Sequence, residues 1–223
     1  MSHSSSLRLS PVYAALEVSK PRWGVLWDMP VALALGPEEQ ERASARDLAI
    51  CDVSAFRRLG LSGPGTVLWL SAHGVAAPDP VYNATELPGG GQVIRTGIQD
   101  VLLEDGWKGE TTVPIQKALA SSAGGVYEVL RQEASFFLSG SRVGEVLAQT
   151  CGVDFQGVGN CLVMSRVAGV SASLRFRATM DFPVCQIWVD ASYALYLWKT
   201  LCEIVGDLGG RPIGLGCFAP EIN

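Results

Sequence analysis

Leu138–Gly152, LSGSRVGEVLAQTCG, and Leu61–Gly74, LSGPGTVLWLSAHG, repeat one pattern within the chain. In each, an apolar run ends at Leu-Ser-Gly and a short helical spacing follows: Val67, Leu68 and Leu70 in the first, Val143, Val146 and Leu147 in the second. Each spacing stops at a glycine, Gly74 or Gly152, followed by valine. Serine at that place suits a strand end and a helix N-cap, and glycine suits the left-handed residue that closes a helix. Two strand–turn–helix units from one template predict a duplicated α+β chain.

The flanking segments extend this reading. Trp23–Leu35 is apolar on both faces, and Pro30 confines a strand there to an edge or splits it in two. Pro37 opens a charged helix over Glu38–Ala49 with acids in its first turn, as the helix dipole prefers. Cys51–Leu61 and Val126–Leu138 read as the strands feeding the two Leu-Ser-Gly units. Between the units lie a Pro- and Gly-rich loop (78–91), two strands within Gln92–Glu104 turning near Gly97, a turn at Asp105–Gly109 and a helix over Thr112–Ala120. After the second unit, Cys161–Ala168 and Val170–Arg177 form a hairpin around Gly169. Val184–Val189 is then a strand, and Asp190 caps a helix over Ala191–Gly206. Ala194, Leu197, Trp198, Leu201 and Val205 form that helix's core stripe. Gly209–Phe218 is a final loop with a short strand or helix start. Irregular alternation with hairpins points to α+β. The division reads as a disordered tail (1–9), a first half (10–125) and a second half (126–223), the halves packed as one unit.

Composition narrows the function. Of 223 residues only 17% are charged, against about 25% in a typical chain. That fits a compact fold or a subunit covered by partners, and six tryptophans favour the second. A net charge of −5 argues against nucleic acid, which wants a basic stripe. No apolar run reaches membrane-spanning length, and residues 1–6 lack the apolar core of a signal peptide. The cytoplasm is therefore the expected compartment. The six cysteines (51, 151, 161, 185, 202 and 217) are scattered and read as core residues. With His3 in the tail and His73 at a helix end, neither a metal site nor a Cys–His nucleophile is expected.

Other candidates read as structural. Gly89-Gly90-Gly91 has no lysine and no following helix, so it is a surface turn rather than a phosphate loop. Gly214-Leu215-Gly216 is too sparse for a dinucleotide fingerprint. Glu104-Asp105 reads as a solvated acid pair in a turn. Arg57-Arg58 and Arg131 read as solvated edge residues, with a carboxylate ligand or a neighbouring subunit as the alternative. No catalytic residue is assigned. Trp107, in a turn, and Trp188, on a strand near a chain end, are the interface candidates.

Several segments together resemble the aminomethyltransferase (T-protein) family of folate-binding proteins. Trp27-Asp28-Met29-Pro30 resembles that family's W-x-M-P. Cys51-Asp52-Val53-Ser54, then Ser62-Gly63-Pro64, resembles D-V-S-H-M followed by G-P-D. Arg211-Pro212-Ile213 and Gly214-Leu215-Gly216 resemble K-P-I-G-L-G. Within the superfamily the chain is most similar to the gamma subunits of heterotetrameric sarcosine oxidases. Ser139-Gly140, Val146-Leu147, Cys151 and Asp154 match one run of that branch, and Ser192-Tyr193-Ala194 with Leu197-Trp198 another.

The resemblance implies an aminomethyltransferase-like folate-binding fold with an internal pseudo-repeat, lacking the C-terminal domain. It also implies departures. The acidic catalytic motif has no counterpart, and the His-Met after D-V-S is Ala55-Phe56. Thr179 and Gln186 stand where the family has the tyrosine and glutamate that help hold the pterin. The implied role is a non-catalytic subunit beside alpha, beta and delta partners. Those partners hold FAD, FMN, NAD, zinc and tetrahydrofolate and oxidatively demethylate sarcosine or another N-methyl amino acid, while this chain binds no cofactor. The alternative is a freestanding tetrahydrofolate-dependent aminomethyl- or methyl-transferase. An assembly-factor role is a third, but the K-G-C-Y-x-G-Q-E signature of that branch is absent.

Overall fold

In the computed structural model, which describes residues 8–121, 124–177, 181–219 and 222, both Leu-Ser-Gly units form. The first is a strand over Arg57–Ser62 and a helix over Thr66–Ala72; the second is a strand over Ala134–Ser139 and a helix over Val143–Thr150. Ser62 and Ser139 end their strands but cap no helix, since the N-cap positions fall at Gly65 and Arg142 and neither has a side-chain cap. The turn depends on the glycines instead. Gly63 and Gly140 have φ of 125° and 109°. A Cβ on Gly63 would lie 2.3 Å from the Gly125 carbonyl oxygen, and one on Gly140 would lie 2.2 Å from that of Asp47. Gly74 closes the first helix at φ 80°. Gly152 has no such role, because its helix already ends at an extended Cys151.

Gly140→Ala is therefore expected to destabilise the chain by about 2 kcal/mol or more, from left-handed strain together with the clash. Gly144, inside the following helix, has nothing within 4 Å of an added Cβ. Gly144→Ala should stabilise by about 0.5 kcal/mol through lost unfolded-chain freedom. Thermal denaturation of the two variants checks both signs.

In chain order the elements are α1 (Tyr13–Glu17), β1 (Arg22–Leu26), β2 (Met29–Ala34), α2 (Glu38–Asp47), β3 (Ala49–Asp52), β4 (Arg57–Ser62), α3 (Thr66–Ala72), β5 (Ala84–Leu87), β6 (Gly91–Arg95) and β7 (Asp100–Asp105). There follow α4 (Thr112–Ser121), β8 (Tyr127–Val129), β9 (Ala134–Ser139), α5 (Val143–Thr150), β10 (Val163–Val167), β11 (Val170–Phe176), β12 (Val184–Val189), α6 (Ala194–Asp207) and β13 (Arg211–Pro212). β1 and β2 form a separate hairpin turning at Trp27 and Asp28, with Pro30 paired to Val25. One sheet has the order β5-β6-β7-β4-β8 and the other β10-β11-β12-β9-β3-β13.

The pseudo-repeat is visible in those orders: β5-β6-β7-β4-β8 matches β10-β11-β12-β9-β3 position for position. The two segments read as single strands, Cys51–Leu61 and Val126–Leu138, each break into two. β3 crosses to pair with β9 in the second sheet, and β8 crosses to pair with β4 in the first. Each half thus lends a strand to the other's sheet. The 78–91 stretch read as loop contains β5, which pairs with β6.

Alternation along the strands sorts the layers. Val93, Val101, Leu103, Leu59 and Leu61 turn outward to pack with Leu70 of α3 and Ile115 of α4. Phe136, Leu138, Cys185, Ile187 and Val189 turn outward on the second sheet, under α5 and the expected α6 stripe. The inner faces of the sheets meet each other. Part of that meeting is apolar, with Ile94 and Leu102 against Trp188. The rest is polar. Expected tail residues 1–7 lie outside the described residues; Arg8 and Leu9 are described and exposed.

Candidate functional site

β12 reads Val-Cys-Gln-Ile-Trp-Val, so Gln186 and Trp188 fall on the face opposite Cys185 and Ile187, toward the other sheet. There they meet Glu104 of β7, which is fully buried. Its Oε1 accepts from Gln92 Nε2 (2.7 Å) and Gln186 Nε2 (2.8 Å). Its Oε2 accepts from Arg58 Nε (2.7 Å) and Trp188 Nε1 (2.9 Å). Burial alone would push this carboxyl up; Arg58, Trp188, Arg177 and Gln92 outweigh it and hold Glu104 below the ordinary value.

The network continues along the inner faces. Arg175 donates to Gln92 Oε1 at 2.6 Å and pairs with Glu86 at 2.8 Å. Arg177 donates to Gln186 Oε1 (2.9 Å), Glu86 Oε2 (2.6 Å) and the Gly90 carbonyl (2.9 Å). Gln186 Nε2 also donates to Ser135 Oγ at 2.9 Å. Gln186 therefore uses both amide hydrogens, on Glu104 and Ser135, and its oxygen takes two donors, Gln92 and Arg177. A neutral amide offers four such positions. All four are taken by the chain itself.

This overturns two sequence expectations. Glu104-Asp105 is no solvated pair: Asp105 is also fully buried, accepting from Thr111 N, Thr112 N and Thr112 Oγ1 at the start of α4. Arg58 is no edge residue, its side chain being only 1% exposed. Acids and arginines on a strand read as solvent-facing unless a second charged face covers them, and that face lies far away in sequence. Arg57 is half-buried and rests over the Trp27 ring at 4.3 Å. Arg131 is half-buried beside Glu133.

Gly89-Gly90-Gly91 is not a free surface turn either. A Cβ on Gly90 would lie 2.5 Å from the Trp107 ring, and one on Gly91 would lie 2.8 Å from the Glu104 carbonyl oxygen. Gly214 packs equally tightly on the backbone of Leu33. Trp188 is buried within the chain with its N–H spent on Glu104, because β12 is a central strand; the chain's own core absorbs it. Trp107 is half-buried against Phe56. All six tryptophans are buried or half-buried.

Of the resemblance's two pterin positions, Thr179 lies outside the described residues and Gln186 is saturated; Phe56, in place of the family's Met after D-V-S-H, is fully buried against Trp107 and Phe137. A shallow cavity of about 420 Å³ lies alongside, lined by Leu87, Gly89, Gly90, Trp107, Asp181 and Phe182 among others. Gln186 itself, its four positions taken by Glu104, Ser135, Gln92 and Arg177, has none left for the N–H groups of a pterin.

Burial pushes the Cys202 and Cys217 thiols up to about 12 and raises Cys51 and Cys185 as well, so no thiolate forms there near neutral pH. His73 lies against the Trp69 ring. Among the described residues, no group of three or more His, Cys, Asp or Glu is arranged to hold a metal ion, and no helix is long and apolar enough to cross a membrane.

No family model matches the sequence, and no curated protein matches it. Solved structures do match. Glycine cleavage system aminomethyltransferase T from Bartonella henselae aligns at TM-score 0.76 and 16% identity, over 95% of this chain and 61% of that one. A chain of heterotetrameric sarcosine oxidase from Corynebacterium sp. U-96, solved in complex with pyrrole 2-carboxylate, aligns at TM-score 0.64 and 21% identity. That alignment covers 92% of this chain and 98% of the other. The fold is aminomethyltransferase-like. This aminomethyltransferase-like chain spans 61% of the length of the first of those proteins and nearly all of the second. At these identities the likeness is one of fold.

Proposed function

We propose that the chain is a non-catalytic subunit of a sarcosine-oxidase-type complex, in the place a gamma subunit holds there. The observation that carries this reading is the saturation of Gln186 by Glu104, Ser135, Gln92 and Arg177. A fold whose pterin-facing position is consumed by its own core is suited to assembly rather than folate chemistry. The near-complete coverage of a chain from a heterotetrameric oxidase supports the same reading. So does the edge strand β8, where Tyr127, Val129 and the following Leu130 stand 64%, 40% and 74% exposed along an unpaired sheet edge. Exposed apolar edges invite a partner.

In this proposal alpha, beta and delta subunits surround the chain, and the interface candidate Trp107 lies near one of them. Those partners carry FAD, FMN, NAD, zinc and tetrahydrofolate, and the complex works in the cytoplasm on sarcosine or a related N-methyl amino acid. The chain itself binds none of the cofactors.

The second reading, a freestanding tetrahydrofolate-dependent transferase, is favoured by the higher TM-score, 0.76, to aminomethyltransferase T. Calorimetric titration with tetrahydrofolate separates the two. No saturable heat in the micromolar range is expected. A one-site isotherm with a low-micromolar constant would overturn the subunit reading and favour the enzyme.

A further inference from the structure

On another side of the molecule a groove of about 570 Å³ runs between the start of β4, the start of α4, the 128–133 segment and Arg8–Pro11. Its charged lining is Arg8, Arg57, Arg58, Arg131, Glu128 and Glu133. Three buried polar atoms on these residues have no hydrogen-bond partner: Arg58 Nη2, Arg131 Nε and Glu133 Oε2. Arg58 is otherwise fixed, its Nε on Glu104 and its Nη1 on the Glu133 carbonyl at 2.7 Å. Arg131 Nε stands 3.3 Å from Glu133 Oε1, an ion pair without hydrogen-bond geometry. Glu128 accepts from Gln116. Arg8 and Arg57 have no carboxylate partner among the described residues, and burial followed by the charges of Arg58 and Arg57 lowers Arg8.

We propose that this groove binds a small carboxylate-bearing molecule that also carries a hydrogen-bond donor. Arg8 and Arg57 line the groove without a carboxylate of their own, and a ligand carboxylate there gains strong charge-assisted bonds. Exposed Glu128, with one oxygen taking Gln116, asks for the opposite, an O–H or N–H. With Arg58 neutralised by Glu104, three arginines against two glutamates leave the lining at +1, which matches a carboxylate; the two glutamates oppose a compact phosphate. The volume lies in the small-molecule range of roughly 300–1,000 Å³.

Calorimetry with malate and succinate tests this, since the two share a carbon skeleton and differ by one hydroxyl. Malate should bind at one site in the submillimolar range and succinate about tenfold more weakly. Arg131→Gln and Arg57→Gln, each checked for folding by circular dichroism, should each weaken malate by about tenfold. Arg142→Gln, on α5's N-terminal side and outside the groove, should leave it unchanged. No binding of malate up to about 10 mM, equal binding of succinate or inorganic phosphate, or unchanged affinity in both groove variants would each overturn the proposal.

Discussion

Glu104→Gln is expected to destabilise the chain by about 3–5 kcal/mol, because it leaves the buried Arg58 guanidinium without its counter-charge. For a chain of this size that is a fall in melting temperature of roughly 10 °C. The substitution keeps the shape of the side chain, so a cavity contributes little. A double-mutant cycle with Arg58→Met isolates the pair, and a coupling of about 1–3 kcal/mol is expected; additive losses would mean that Glu104 acts mainly through Gln92, Gln186 and Trp188. The deficit also depends on pH. Glu104 is held below the ordinary carboxylate value when folded, so its contribution is complete above the unfolded value of about 4.3 and is lost as pH falls through the folded value. The gap between wild type and Glu104→Gln should therefore narrow below about pH 4. Asp52 has the opposite sign. Desolvation raises its carboxyl despite hydrogen bonds from Ser10 and Ser54, so its contribution favours the fold at low pH and fades as pH rises through the raised value. It offsets part of the acid loss.

Gln186→Glu should fail to create a folate site and should destabilise the chain instead. Gln186 Nε2 lies 2.8 Å from Glu104 Oε1, and two carboxylates at that separation cannot both ionise. One must stay protonated roughly three units above its ordinary value, which at about 1.36 kcal/mol per unit costs about 3–4 kcal/mol at pH 7. The folded value is raised, so the penalty grows with pH and should fall to about 1 kcal/mol by pH 5. Denaturant unfolding at the two pH values reads it directly. A variant as stable as wild type at pH 7 would show that Arg177 neutralises the second charge and that the inter-sheet layer tolerates an acid.

Much of the fold could be read before the structure, for local reasons. Val184–Val189, the hairpin about Gly169 and the stripe of α6 follow from periodicity and turn chemistry, and Asp190 caps as its position suggests, accepting from Ser192 N. The Leu-Ser-Gly repeat announced the duplication. What it could not announce was the exchange of β3 and β8 between sheets, because an apolar run gives no sign that it bends out of one sheet into another. The site was less legible. Glu104, Arg58, Arg175 and Arg177 look solvated in isolation, and only the face-to-face packing of two inner surfaces makes them each other's solvent. In the sequence Gln186 reads only as a lost carboxylate. That the amide is required by Glu104 depends on a contact 82 residues distant.

The subunit proposal is tested most directly by weighing the assembly. Recovered from its native source through a tag on this chain and measured by native mass spectrometry, it should appear in a stable complex with larger flavin-bearing partners in fixed stoichiometry. A mass equal to the chain alone, or to copies of itself, in material that is monodisperse and highly soluble would contradict it.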